Sequence, residues 1–150
     1  MELNKINDPS QGNAKGSDYN LFTIKNKIIR LLEEDLTSIS KEAVGSDIII
    51  IDSFFTILGA GGSVNTHNHI NLIDQVPILN LGDQKYSLVY YLSVGDQDCT
   101  EPGILRLYEP SEDILPYKGM IIIFPAKRYH SVIYNGKKDR LIVGINFYSI

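Results

Sequence analysis

IIIIDSFFTIL, residues 48–58, decides the class of this fold. Its isoleucines, phenylalanines and threonine are the side chains that lose freedom in a helix and pack well on a pleated sheet. Glycines stand on both sides, Gly45 before the run and Gly59 after it. Six similar runs follow: VPILNL (76–81), YSLVYYLSV (86–94), ILRLYE (104–109), MIIIF (120–124), HSVIY (130–134) and RLIVGINFYSI (140–150). Gly, Pro, Asn and Asp separate them, and no helical pattern lies between. Seven such runs predict an antiparallel sandwich or barrel rather than repeated βαβ units.

Upstream, the pattern changes. From Leu21 to about Ala43, Ile24, Ile28, Leu31, Leu32, Leu36 and Ile39 recur at helical spacing, which predicts a helical region over 21–45, either one helix or two short ones broken near Thr37 and Ser38. Packed on one outer face of a sheet, it would explain why several strands are apolar on both sides. Residues 1–18 carry Pro9, Gly12 and Gly16 among polar side chains and read as a loose arm or a first irregular turn that need not matter to chemistry. Residues 19–150 then form a single domain, a size that supports a core without staples.

Composition narrows the function classes. The net charge is -4 with only short basic stretches, so nucleic acid is not an expected partner. The single cysteine, Cys99, can form no internal disulfide, no apolar run is long enough to span a membrane, and the first residues lack the apolar segment of a secretory signal. A cytoplasmic protein is expected.

Three histidines carry the chemistry. In VNTHNH, residues 64–69, His67 and His69 are one residue apart. On a strand they would face the same way, about 7 Å apart at Cα, close enough to share a metal. The remaining histidine, His130, opens the run HSVIY and is the candidate third ligand of a facial site with open positions. Spacing alone leaves a second reading open, in which the imidazoles are exposed or internally satisfied. Asp74, the nearest acidic residue after the pair, could replace a ligand or accept an imidazole N–H.

Gly61 followed by five residues and His67-x-His69, then Gly119 followed by five residues, Pro125 and His130, resemble the two signatures of the cupin fold, a double-stranded β-helix or jelly roll. More closely, SFFTILGAGGSVNTHNH, SLVYYLSV, GILRLYEP, GMIIIFPAKRYHSV and NGKKDRLIVGINF, spanning residues 53–147, resemble successive blocks of bacterial and phage 2-oxoglutarate- and Fe(II)-dependent oxygenases. The resemblance implies an all-β double-stranded β-helix core with the N-terminal helical segment on one sheet. It implies Fe(II) on His67, His69 and His130, with His69 where many such enzymes have an aspartate. It also implies 2-oxoglutarate as cosubstrate, with Arg140 and Asn146 as binding residues and dioxygen oxidising a small-molecule or peptide substrate. Ile70 to Gln84 is longer than its counterparts in the family, and is expected to rebuild the rim near the metal and to help select the substrate.

NGKKD between HSVIY and RLIVGINF reads as a hairpin turn. If Tyr134 pairs with Arg140, His130, Arg140 and Asn146 share one face, and Gly144 between them either leaves room for the cosubstrate or marks a bulge or bend. An arginine after a turn can equally be solvent-exposed or salt-bridged. Tyr90 and Tyr134 are the tyrosines expected to face the cavity, and Lys127 and Arg128 would make its mouth basic. Two rivals stay open: a cupin-type metal-dependent dioxygenase or isomerase without 2-oxoglutarate, and a non-catalytic ligand-binding cupin module. Edge strands allow a homodimer.

Overall fold

The structure is a computed structural model describing residues 3–150. The expected helical region opens with a 3-10 turn, Leu21–Thr23, and continues as one unbroken helix, α1, Lys27–Val44. Asn26 caps it by accepting from the Ile28 and Ile29 N–H groups, and Gly45 ends it in the left-handed conformation at φ 70°. Among the described residues no helix is long and apolar enough to cross a membrane.

The strands are β1 (Asn4–Lys5), β2 (Ala14–Gly16), β3 (Ile48–Leu58), β4 (Gly62–His67), β5 (Lys85–Ser93), β6 (Pro102–Leu107), β7 (Glu112–Ile114), β8 (Ile121–Pro125), β9 (His130–Tyr134) and β10 (Arg140–Ser149). They form two antiparallel sheets, β1-β2-β3-β10-β5-β8 and β4-β9-β6-β7, in a jelly-roll arrangement. Between the sheets lies a core that includes Leu58, Tyr91, Leu105, Phe124, Val132 and Tyr134. A second core, with Leu21, Leu36, Leu88, Val143, Ile145 and Phe147, joins the larger sheet to α1. Strand β10 is therefore buried on both faces, as its near-continuous apolar sequence requires.

Three expectations need correction. VPILNL is not a strand: it lies between the 3-10 turns Ile73–Gln75 and Gly82–Gln84, Pro77 has no N–H to give a ladder, and Ile78 is 91% exposed. Nor do HSVIY and RLIVGINF form a hairpin. Strand β9 pairs with β4 and β6, whereas β10 pairs with β3 and β5, so NGKKD carries the chain from one sheet to the other. His130 and Arg140 face each other across the sandwich instead of sharing a sheet.

The third correction concerns residues 1–18. Met1 and Glu2 lie outside the described residues, and the rest is not a loose arm: β1 and β2 extend the larger sheet, with Ala14 opposite Leu58 and Gly16 opposite Thr56. Gly12, at φ 58°, packs directly on the Gly61 carbonyl, where any Cβ would collide. The Asn65 side-chain amide donates to Asp8 Oδ2 at 3.2 Å and to Ser10 Oγ at 2.6 Å, tying the arm to β4.

Segment 70–84 is anchored by a buried ion pair. Lys85 Nζ lies 2.8 Å from Asp74 Oδ2, with side-chain exposures of 2% and 0%. Asp74 also accepts from the Asn71 N–H at 2.8 Å and from the Tyr148 hydroxyl. Burial alone would raise its pKa, but the Asn71 N–H, the Lys85 ammonium and the Tyr148 hydroxyl outweigh it and hold the carboxyl below its ordinary value. The stability this carboxylate contributes is present above the unfolded pKa of about 4 and is lost as pH falls through the lower folded pKa. Replacing one partner, Asp74→Ala, is expected to cost about 3–5 kcal/mol, because the Lys85 charge is left buried and unpaired. Denaturant unfolding at neutral pH checks this, and a loss below about 1 kcal/mol would show that the pair does not anchor the segment.

Candidate metal centre

His67 ends β4 and His130 opens β9, and the two are paired across the ladder. His69 lies just beyond the strand, where its N–H donates to the Ala126 carbonyl at 2.9 Å. The ring centroids are 4.9 Å apart for His67 and His69, 4.3 Å for His67 and His130, and 5.0 Å for His69 and His130. One candidate ligand atom from each lies within 4.8 Å of the others.

Local contacts prepare two of these rings. The Nδ1 of His67 is 2.7 Å from the Asn65 carbonyl oxygen and that of His130 is 3.2 Å from the Arg128 carbonyl oxygen. A carbonyl only accepts, so the proton belongs on Nδ1 and the Nε2 lone pair is left for a metal. Burial, reinforced by the neighbouring imidazoles, pushes the pKa of His69 down to about 3; burial and His67 push that of His130 down to about 4. Both rings are therefore neutral at physiological pH, the state a metal ligand needs.

Beneath His69 a polar row crosses three strands. Asn146 stands opposite Asp52 on one side and Ser87 on the other. Its amide nitrogen donates to Asp52 Oδ2 at 3.0 Å and its oxygen accepts from Ser87 Oγ at 2.7 Å; the same nitrogen lies 3.4 Å from His69 Nδ1, where it can only donate, which in this arrangement puts the His69 proton on Nε2. Phe54 lies beside His69 at 6.4 Å, and Phe124 is edge-on to His130 at 4.9 Å. Gly144, expected to leave room for a cosubstrate, instead leaves room for Phe54, whose ring occupies the space a Cβ would need.

Arg140 lies across the cavity from the histidines and is only 3% exposed. Its Nε and Nη1 have no hydrogen-bond partner among the described residues, and neither does the hydroxyl of Tyr91. The guanidinium carbon is 5.1 Å from the centre of the Tyr91 ring. Gly103, at φ 84°, is the backbone against which Arg140 packs: a Cβ there would come within 3.1 Å of Nη1. Burial lowers the arginine's pKa, Tyr91 opposes the shift, and burial raises the pKa of Tyr91. A cavity of about 450 Å³ joins Arg140 to the three histidines, with Leu105, Val132 and Ile142 among its walls.

The structure thus brings His67, His69, His130, Arg140 and Asn146 together. It does not bring the two chosen tyrosines to the cavity. Tyr90 packs in the core between the larger sheet and α1, and its neighbour Tyr91 lines the cavity. Tyr90 shares its face with Tyr86 and Leu88, and alternation along a strand cannot say which face is inward. Tyr134 faces inward but is spent on structure: its hydroxyl accepts from the Asp96 N–H at 2.8 Å and donates to the Lys138 carbonyl. Asp74 is not at the histidines, because Lys85 holds it elsewhere. Lys127 and Arg128 are engaged by Asp83 and Glu112 at 2.7 and 3.1 Å. Nor does 70–84 line the cavity; arm residues do, among them Lys5, Asp8, Asp18 and Tyr19. Sequence reasoning missed Tyr91, Phe54, Asp52 and the arm.

No protein-family model matches this chain, and no curated protein matches its sequence. Solved structures do match its fold. HygX from Streptomyces hygroscopicus, solved with nickel and 2-oxoglutarate bound, aligns with a TM-score of 0.71 at 12% identity over 99% of this chain and 74% of that one. A Pseudomonas putida prolyl-4-hydroxylase aligns with a TM-score of 0.67 at 18% identity, covering 99% of this chain and 78% of that one. The viral collagen prolyl hydroxylase from Paramecium Bursaria Chlorella virus-1 aligns with a TM-score of 0.65 at 13% identity, covering 92% and 80%.

The row beneath His69 is testable through metal binding. A metal on His69 Nε2 needs the proton on Nδ1, which the Asn146 side-chain oxygen accepts once the amide turns; Asn146→Leu removes that acceptor, and outer partners of this kind typically change metal affinity about 10–100-fold. Nickel titration followed by calorimetry is expected to show at least a tenfold weaker site. Unchanged affinity would leave Asn146 without a role at His69. In fold, the chain is a double-stranded β-helix like the hydroxylase and HygX structures it matches.

Proposed function

We propose that this protein is an Fe(II)- and 2-oxoglutarate-dependent oxygenase acting on a small organic substrate with dioxygen. One observation carries the reading: a guanidinium buried with two unpartnered nitrogens, across a cavity from three clustered histidines. An unpaired buried charge is costly, and a planar fork of N–H donors fits a carboxylate. A molecule with one carboxylate for Arg140 and a chelating 2-oxo acid for the metal fits both ends of the cavity.

The donor set fits the metal. Three imidazoles suit iron as well as nickel or zinc, and a facial arrangement leaves positions for other ligands. Iron there would supply dioxygen activation coupled to oxidative decarboxylation of the 2-oxo acid. The chain's own residues do the positioning. The Asn65 and Arg128 carbonyls fix the rings of His67 and His130, and Asn146 holds His69. Arg140, assisted by the free Tyr91 hydroxyl, would anchor the distal carboxylate, while Leu105, Val132 and Ile142 keep the space between apolar. His69 stands where a carboxylate ligand would bring negative charge. We place the protein in the cytoplasm, where the free thiol of Cys99 would be stable, and we treat residues 19–150, with the arm added to their sheet, as one domain.

Two opposite effects of one substitution test the assignment. Arg140→Met removes an unpaired buried charge, so the metal-free variant is expected to be at least as stable as the native protein. With nickel bound, saturating 2-oxoglutarate at about 100 times its Kd should stabilise the native protein by about 2.7 kcal/mol. The variant at the same concentration should lose most of that gain. No stabilisation of the nickel-loaded native protein, or equal stabilisation of both, would refute the reading.

A further inference from the structure

Segment 70–84 takes no part in the cavity, and its sequence, INLIDQVPILNLGDQ, is not that of a solvated loop. It is nevertheless firmly placed. Tight turns run along it: the Val76 N–H donates to the Ile73 carbonyl at 3.2 Å, the Leu79 N–H to the Val76 carbonyl at 3.1 Å, and the Gln84 N–H to the Leu81 carbonyl at 3.0 Å. Gly82 packs on the Asp74 carbonyl, from which an added Cβ would lie only 3.1 Å away, and the buried pair of Asp74 and Lys85 fixes the base. Held in this way, the segment turns its apolar side chains to water. Leu72 is 85% exposed and Ile78 91%, while Ile73, Val76 and Leu79 are exposed by 38–54%.

Together these five side chains leave on the order of 500 Å² of apolar surface open, and exposed patches of that size mark interaction sites. Other exposed aliphatics are differently set. Ile28 and Leu31 on α1 stand among the exposed Lys27, Arg30, Glu34 and Asp35, the mixture of a solvated helix face. Segment 70–84 has only two charged residues, and both are engaged: Asp74 by Lys85, and Asp83 by Lys127 at 2.7 Å. It therefore offers no cation to an anionic lipid surface and no free carboxylate to a basic partner. A neutral apolar face does suit a copy of itself, because a two-fold contact sets the same patch against itself and brings no like charges together here. Two such faces would bury about 1,000 Å² through these side chains alone, which reaches the size of a specific interface. The exposed Asn71, Gln75 and Asn80 supply a polar rim.

We propose that segment 70–84 is the contact face of a two-fold symmetric homodimer, with Leu72 and Ile78 as its main apolar contacts. The pairing joins two complete cavities, since each is lined without this segment, and it does not depend on what the cavity binds.

Analytical ultracentrifugation of the full chain at physiological salt reads the assembly directly. The native protein is expected to show a monomer–dimer equilibrium with a Kd of about 1–100 µM, fitting an interface of the smallest specific size, and to stop at two copies. Leu72→Glu and Ile78→Glu each place a charge on both sides of the contact and should weaken the dimer at least about tenfold. Both side chains stand in water in the single chain, so the denaturant midpoint of the diluted, monomeric variants should match that of the native monomer. Ile28→Glu, on the exposed face of α1, should leave the dimer Kd within about twofold. A native protein that stays monomeric up to about 500 µM, assembly that grows beyond two copies, or a dimer that tolerates both glutamates would overturn the proposal. Flotation with neutral phosphatidylcholine vesicles tests the other apolar occupant. Vesicle binding by a monomeric native protein, abolished by Ile78→Glu, would give the face to a lipid surface and overturn the dimer.

Discussion

A guanidinium cannot be withdrawn from water cheaply unless an anion meets it. Arg140 is withdrawn, its Nε and Nη1 have no hydrogen-bond partner among the described residues, and it lies over the ring of Tyr91, whose hydroxyl is not hydrogen-bonded either. Such an arrangement is a stored cost that a bound carboxylate would relieve. The fold is organised so that the cost is maintained: β10 holds Arg140 from one sheet, Gly103 of β6 gives it space from the other, and the histidines close the far side.

The jelly roll divides its labour between its two faces. Outside the larger sheet, α1 covers Val143, Ile145 and Phe147, so β10 is held firmly while its alternate residues, Arg140, Ile142 and Asn146, face the site. The rim is built from two very different segments. Segment 70–84 is secured from below by Asp74 and Lys85, and it exposes Leu72 and Ile78 without entering the cavity. The arm is secured through backbone pairing and through the Gly12 contact with Gly61, and it does enter. GAGG at 59–62, which has no phosphate-binding context in the sequence, is thus the turn on which the arm is seated.

Much of this was legible in the sequence, for identifiable reasons. Runs such as IIIIDSFFTIL and MIIIF announce strands because β-branched and aromatic residues cluster between turn formers. Strand β4, with the sequence GSVNTH, is polar and could be read only through its histidines. Those histidines were legible because three imidazoles in a short chain with matching glycine spacings leave few alternatives. Strand partnership was not: alternation placed His130, Arg140 and Asn146 facing one interior, but the hairpin assumed to explain it is a crossover between sheets. The same limit misassigned Tyr90, since alternation relates residues to one another and not to the core. Asp74 and the arm were misjudged because their partners, Lys85 and the 59–62 turn, are brought to them only by the tertiary fold.

If one cavity takes iron at the histidines and a 2-oxo acid reaching from that iron to Arg140, the two must meet in a single complex. Anaerobic titration of the Fe(II)-loaded protein with 2-oxoglutarate, followed by visible absorption, tests it most directly, because a 2-oxo acid chelated to ferrous iron produces a charge-transfer band that neither partner has alone. The band is expected to appear and to saturate at one equivalent of cosubstrate per bound iron. Iron that binds stoichiometrically yet gives no such band at saturating 2-oxoglutarate would contradict it.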